Sequence, residues 1–193
     1  RLEEALRRVD CTLAALAVEE IRLILDAGQG RYQEAINSAR LLASLQRALG
    51  ESDLEARLLK NAAGLSVEAG EWESAERAYA LATQRILQCR NPGLIRSLVR
   101  QRLNSLNMHR ERAQAPVLEA TFRQAFRILS EPEDRIWLLV LRSEMRAGQG
   151  RHDQAGFEEA WNLARKSGLP RLEAWALEVA SLAERAATAT ASR

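Results

Sequence analysis

The sequence predicts an all-α solenoid of antiparallel helix pairs, and two observations carry that prediction. Four alanines, Ala35, Ala75, Ala115 and Ala155, stand at a constant spacing of 40 residues. Three of them close a phrase of one shape: Gly30-Arg31-Tyr32-Gln33-Glu34-Ala35, Gly70-Glu71-Trp72-Glu73-Ser74-Ala75 and Gly150-Arg151-His152-Asp153-Gln154-Ala155. Alanine is abundant in the chain, but glycine is only 10 of 193 residues and still falls at three of the four places, with Arg110 breaking the column. A fixed period of this length marks a repeat architecture, because one helical pair cannot bury its apolar stripe alone and must stack on copies of itself.

Following the period places the first helix of each pair near 13–28, 53–69, 93–109, 133–148 and 171–187, with partners near 32–48, 72–89, 113–129 and 152–167. The phrase glycine ends the first helix, where a residue without Cβ takes the left-handed conformation. The aromatic after it packs into the turn. The alanine sits where the second helix crosses the first, so Ala35, Ala75, Ala115 and Ala155 are all expected to be buried. Helix starts carry their own signals: Thr12 and Ser52 fall where an N-cap oxygen is wanted, Glu55 completes a capping box with Ser52, and Pro92 and Pro132 occupy the same column. Pro116 lies in the first turn of its helix, where a missing N–H costs little. Partner helices end on an apolar column of Val9, Leu49, Leu129 and Leu169, with Cys89 filling the gap.

That column makes residues 1–9 the end of a second helix in a truncated repeat, followed by repeats near 13–49, 53–89, 93–129 and 133–169 and a final helix at 171–187. Together they form a single repeat domain over 1–187. The absent initiator methionine agrees with a fragment of a longer protein, and 188–193 reads as a flexible tail or linker. An edge cut inside a repeat exposes Leu2, Leu6 and Val9, and self-association through such ends is expected.

Composition agrees with a globular array: 47% hydrophobic, 28% charged, formal net charge +2 and only 4 prolines. No apolar run approaches the ~20 residues needed to span a bilayer, and the first residues are too charged for a signal peptide, so a cytoplasmic location is expected. Cys11 and Cys89 lie in different repeats without CxxC spacing, which argues against a disulfide framework or zinc site and reads them as small buried hydrophobes. His109 and His152 lie near turns in different repeats, without a partner set at helical metal-ligand spacing. There is no P-loop, dinucleotide fingerprint, GxSxG or HExxH. No enzyme, cofactor or metal is therefore expected. Trp72 takes the aromatic place of its phrase, while core packing and a concave aromatic anchor both stay open for Trp137, Trp161 and Trp175.

The phrase Gly-x-aromatic-x-x-Ala between two helices resembles the tetratricopeptide repeat (TPR). In the second repeat the likeness extends to Asn61-Ala62-Ala63-Gly64, Tyr79 and Ala82. The resemblance runs from about Leu13 to Ala187 and implies a right-handed α-solenoid, a TPR-like superhelix, although each repeat is longer than the usual 34 residues or so. Long repeats with this Ala/Leu/Arg-rich texture are similar to the sensor arms of MalT-like bacterial regulators, which implies a role in signal transduction and transcription regulation.

The third repeat departs most, with Arg110-Glu111-Arg112 in place of the glycine turn. Charge concentrates there: Arg96, Arg100, Arg102, Arg110, Arg112, Arg123 and Arg127 are opposed locally only by Glu111 and Glu119. The family geometry lines the concave face with first helices, so Arg57, Lys60, Arg100, Asn104 and Asn107 are the candidate binding residues of one groove. Arginine and asparagine suit a carboxylate or an extended peptide. A solvated face, with arginine stems covering apolar surface, accounts for the same residues. A clamp for a C-terminal carboxylate is rejected, because Trp137 and Leu141 stand where matching polar residues are needed. Glu131, Glu133 and Asp134 precede a helix and are explained by its macrodipole. The expected function is a non-catalytic module that binds a protein or peptide segment, or senses a small effector, with no membrane partner. The alternatives are nucleic-acid binding through the arginine-rich third repeat, against which 26 acidic residues and few aromatics weigh, and a plain structural scaffold.

Overall fold

The computed structural model describes the backbone of residues 2–108, 115–151 and 153–191 and the side-chain surroundings of residues 14–106, 116–151 and 153–185. Among the described residues there is no strand, and the helices are α1 (Leu2–Gly28), α2 (Tyr32–Ala48), α3 (Ser52–Glu68), α4 (Trp72–Cys89), α5 (Pro92–Met108), α6 (Ala115–Ile128), α7 (Pro132–Gly148), α8 (Gln154–Lys166) and α9 (Pro170–Ala191). The chain divides into two units, Arg1–Cys89 and Arg90–Arg193.

Most boundaries fall within two residues of the sequence expectation, because the punctuation is strong. After α1 the Gly30 N–H donates to the Ala27 carbonyl and the Arg31 N–H reaches back to Asp26, closing the last turn with Gly30 at φ 73°. The same pair of bonds recurs at Gly70 and Gly150. Pro92, Pro132 and Pro170 each occupy the first position of a helix, where a proline loses no intrahelical bond. Asn91 is a cap that the sequence reading passed over, its Oδ1 accepting the Leu94 N–H at 3.2 Å.

Four expectations need correction. First, α1 is one helix of 27 residues with no break between 9 and 13; Val9-Asp10-Cys11-Thr12 holds neither glycine nor proline to stop it, and Thr12 is not an N-cap. Second, the N-cap of α3 is Glu51, without a side-chain cap bond, so Ser52 and Glu55 form no capping box. The Glu55 carboxylate is instead buried between two arginines. Third, the apolar column at the partner-helix ends divides, with Leu49 52% exposed and Leu129 3%. Fourth, α9 stays helical to Ala191, past the expected end at 187.

In the first unit α2 packs on α1 and on α3, and α3 packs on α4. Its crossings are lined with alanine: Ala35, Ala39, Ala56, Ala62, Ala63, Ala75 and Ala82 are all essentially inaccessible, and small side chains let helix axes approach. Leu16, Leu42, Leu58 and Leu59 fill the space between. Buried acids staple the helices. Asp26 accepts from Arg31, and Glu55 on α3 accepts from Arg47 of α2 at 2.6 Å and pairs with Arg85 of α4 at 3.4 Å.

In the second unit α7 packs on α5, α6, α8 and α9, and α8 packs on α9. Large side chains replace the alanines: Ile95, Leu98, Leu103, Leu118, Phe122, Ile136, Leu138, Leu141 and Phe157 are all buried. The partner helices keep one burial pattern throughout, with buried positions at a start residue and then three or four and seven residues on. The start residues are Ala35 in α2, Ala75 in α4, Leu118 in α6 and Phe157 in α8. Ala155 is therefore exposed, contrary to the sequence expectation, and the side chain of Ala115 lies outside the described residues. The reason is energetic: burying a phenylalanine contributes roughly 1.5–3 kcal/mol, against about 0.8 for one alanine carbon. A two-residue delay in the start of α8 turns Phe157 inward and Ala155 out. Asp153, just before the helix, accepts from Ser143 Oγ at 3.0 Å and Arg146 Nη1 at 3.1 Å. Gly156 is the point of close approach, since a Cβ there would stand 2.1 Å from Ser143 Oγ.

Candidate functional site

The five candidate residues fall on two helices in different units. On α3, Arg57 is exposed and Lys60 half-buried, three residues apart on one helix face. Burial, with the nearby Arg57 charge second, lowers the Lys60 ammonium below its usual range. On α5, Arg100 is half-buried and Asn104 exposed. The side chain of Asn107 lies outside the described residues, as do His109, Arg110, Glu111, Arg112 and His152.

Within the second unit, α5 packs on α7 and α7 packs on α9. Arg100 is not a free cation there. Its Nη1 donates to Glu144 of α7 at 3.1 Å, and its guanidinium carbon lies 6.0 Å from the Trp137 ring centroid, within the range of a cation–π contact. Trp137 meets Trp175 of α9, with centroids 4.3 Å apart and planes tilted by 40°. Trp175 also packs on the core cluster of Ile136, Val140, Ala176 and their neighbours. Both tryptophans are half-buried. Asn104, one turn along from Arg100, offers an exposed amide.

Of the arginine surplus read from local sequence, Arg96 and Arg100 meet acids that arrive from α7. Arg96 donates to Asp134 at 2.6 Å and lies 3.7 Å from Glu133. Asp134 is 4% exposed, so it is an inter-helix staple as well as a residue of the first turn. Glu119 of α6 serves Arg142 at 3.0 Å and Arg146 at 2.9 Å. Arg102 is buried, and Arg123 and Arg127 are exposed.

Trp161 is a different case, its Nε1 donating to Glu173 at 3.0 Å and its ring covered by Arg165. That satisfied indole ties α8 to α9 and leaves nothing to offer a partner. The Trp137–Trp175 pair and Glu144 escaped the sequence reading because the 40-residue register does not align them. Counting from Pro132 and Pro170 does: each tryptophan is the sixth residue of its helix. Leu141, which excluded the carboxylate clamp, is fully buried.

Half-buried Cys89 is a free thiol pushed up to about 11, first by burial and then by its contact with Asp53, which keeps it unreactive near neutrality. The described residues contain no group of three or more His, Cys, Asp or Glu that could hold a metal ion, and no described helix is long and apolar enough to cross a membrane. No family model, curated protein or solved structure matches the chain.

Proposed function

We propose that this chain is a non-catalytic interaction module, a right-handed TPR-like solenoid whose face on α5, α7 and α9 binds an extended peptide segment of a partner protein. The shared burial pattern of α2, α4, α6 and α8 supports the repeat reading, as does the stacking of successive first helices in the second unit. The observation that carries the binding reading is the half-buried pair Trp137–Trp175, with Arg100 over Trp137 and the exposed Asn104 one turn along α5 from Arg100. Tryptophan and arginine are both enriched where proteins meet partners.

The nucleic-acid alternative draws on less charge than the sequence offered it, because Arg96 and Arg100 are already paired with acids. A regulator similar to the MalT-like type, acting in the cytoplasm, is the parent that the repeat length and texture favour. Peptide occupancy of the face would then be passed to attached domains.

An arrayed library of twelve-residue peptides probed with the labelled chain tests the binding reading. A subset of peptides should bind the wild type and be lost with the Trp137→Ala/Asn104→Ala double variant, while Arg123→Ala on exposed α6 surface retains them. Binding unaffected by the double variant would move the site elsewhere. No binding at all would leave only a scaffold.

A further inference from the structure

Four of the ten exposed large apolar side chains among the described residues fall in one stretch of α1: Val18, Ile21, Ile24 and Leu25, each more than half exposed. With the exposed Ala14, Ala17 and Gly28 they recur in steps of three and four residues, which keeps all of them within about 60° of Ile21 on a helix. Leu16, Leu23 and Asp26 lie on the opposite side, where α2 packs. Thus α1 is apolar on two sides and covered on one. Forty residues on, α3 has no such uncovered stripe: Leu58, which corresponds to Val18, is 5% exposed in a cluster with Leu16 of α1 and Leu42 of α2. An outer helix that presents an apolar stripe to solvent marks a place of association.

We propose that the partner is a second copy of this chain, docked α1 against α1 in parallel about a two-fold axis. The charges beside the stripe select both the occupant and its direction. Glu20 and Arg22, both exposed, stand one residue to either side of Ile21 and so flank the stripe at roughly 100° in opposite senses. In a parallel two-fold pair the left flank of one helix borders the right flank of the other. Glu20 of each copy then faces Arg22 of the other copy, offset by about 3 Å along the axis, and the seam closes with two opposite-charge pairs. An antiparallel pair would instead set Glu20 against Glu20 and Arg22 against Arg22, which is repulsive on both flanks. Arg22 already donates to Glu19 of its own helix at 3.0 Å, yet its side chain stays 62% exposed, and a guanidinium has donors left for a second carboxylate. Along the seam Val18, Ile21 and Leu25 meet their own counterparts, as the apolar positions of a parallel helix pair do. Ala14 and Gly28, near its ends, keep the two backbones free to approach.

Such a seam is smaller than the roughly 20–30 residues a side of a standard interface, so the association is concentration-dependent, and sedimentation velocity on the full chain from micromolar to millimolar concentration tests it. The wild type should pass from monomer to dimer and no further, because a two-fold contact closes on itself. Ile21→Glu, at an exposed position, should stay monomeric throughout while keeping the helical content and the low-concentration melting temperature of the wild type. Glu20→Arg and Arg22→Glu should each weaken the dimer roughly 5- to 30-fold, since two exposed pairs turn from attraction to repulsion. The double variant Glu20→Arg/Arg22→Glu should restore it. A wild type that remains monomeric at millimolar concentration, or a dimer that survives Ile21→Glu, overturns the inference. Growth beyond the dimer would mean a head-to-tail contact and overturns it too. Single reversals that leave the dimer unchanged would contradict the parallel seam, because only there do Glu20 and Arg22 face each other.

Discussion

The two units solve the same packing problem with different side chains. In the first, alanines at Ala35, Ala39, Ala63 and Ala75 line the crossings, and the buried Glu55 holds α2, α3 and α4 together through two arginines. In the second, Leu118 and Phe157 occupy the positions that Ala35 and Ala75 hold in the first. A column of small residues therefore marks close approach only where helix starts keep the register. In α8 Phe157, two residues after the column, takes the crossing instead.

The contrast can be broken most forcefully at Phe157. Its side chain is 2% exposed among Val140, Ala160 and Ala164, and Phe157→Ala should cost about 3–5 kcal/mol in denaturant unfolding. A loss no larger than that of an exposed residue would show that Phe157 is not the crossing residue of α8.

The two alanines sharpen the comparison. Ala75 is 1% exposed and Ala155 exposed, although they occupy the same place in the sequence phrase. Ala75→Leu should overpack its crossing and cost ~1–3 kcal/mol, whereas Ala155→Leu should change stability by less than ~0.5 kcal/mol. Equal costs would restore the strict 40-residue register to both units.

How much was legible follows from which interactions are local. Gly30, Gly70 and Gly150, and the prolines at 92 and 132, act within a few residues of themselves, so helix limits could be read directly. The continuity of α1 could not, because the 40-residue alignment placed a boundary at 9–13 where no residue enforces one. At the candidate site, Arg100 and Asn104 share a face by helical spacing alone. The partners that change their meaning, Glu144, Trp137 and Trp175, come from other helices, and α9 is offset so that Trp175 falls 38 residues after Trp137 rather than 40. Burial of Asp134 and Glu55 is likewise a tertiary outcome, and both had been read as residues of helix starts.

Arg90 offers a smaller test, at the start of the second unit. It is an exposed non-glycine residue at φ 54°, where the corresponding turn of the first unit has Gly50 at φ 79°. Arg90→Gly should stabilise the chain by about 1 kcal/mol, the usual cost of the left-handed conformation with a side chain. A destabilised variant would mean that the arginine side chain makes contacts worth more than the backbone strain.

Lys60 gives the smallest effect and a definite sign. Its folded-state value lies below the ordinary 10.5, first through burial and then through the Arg57 charge. Between the folded and unfolded values the unfolded chain binds more protons, so this group adds stability as pH rises through that window, up to 10.5. Arg57→Gln should raise the Lys60 value and narrow the window, which a titration of the lysine ε-carbon by NMR reads directly. An unchanged midpoint would show that Arg57 does not act on it.

The claim that the second unit carries the binding face is tested most directly by the indole N–H signals of Trp72, Trp137, Trp161 and Trp175 in a proton–nitrogen correlation spectrum. On addition of a peptide selected from the library array, the signals of Trp137 and Trp175 should shift progressively and saturate together. Those of Trp72, in the first unit, and Trp161, already bonded to Glu173 at 3.0 Å, should stay in place. Shifts confined to Trp72 or Trp161, or four unmoved signals at a large excess of peptide, would contradict the account.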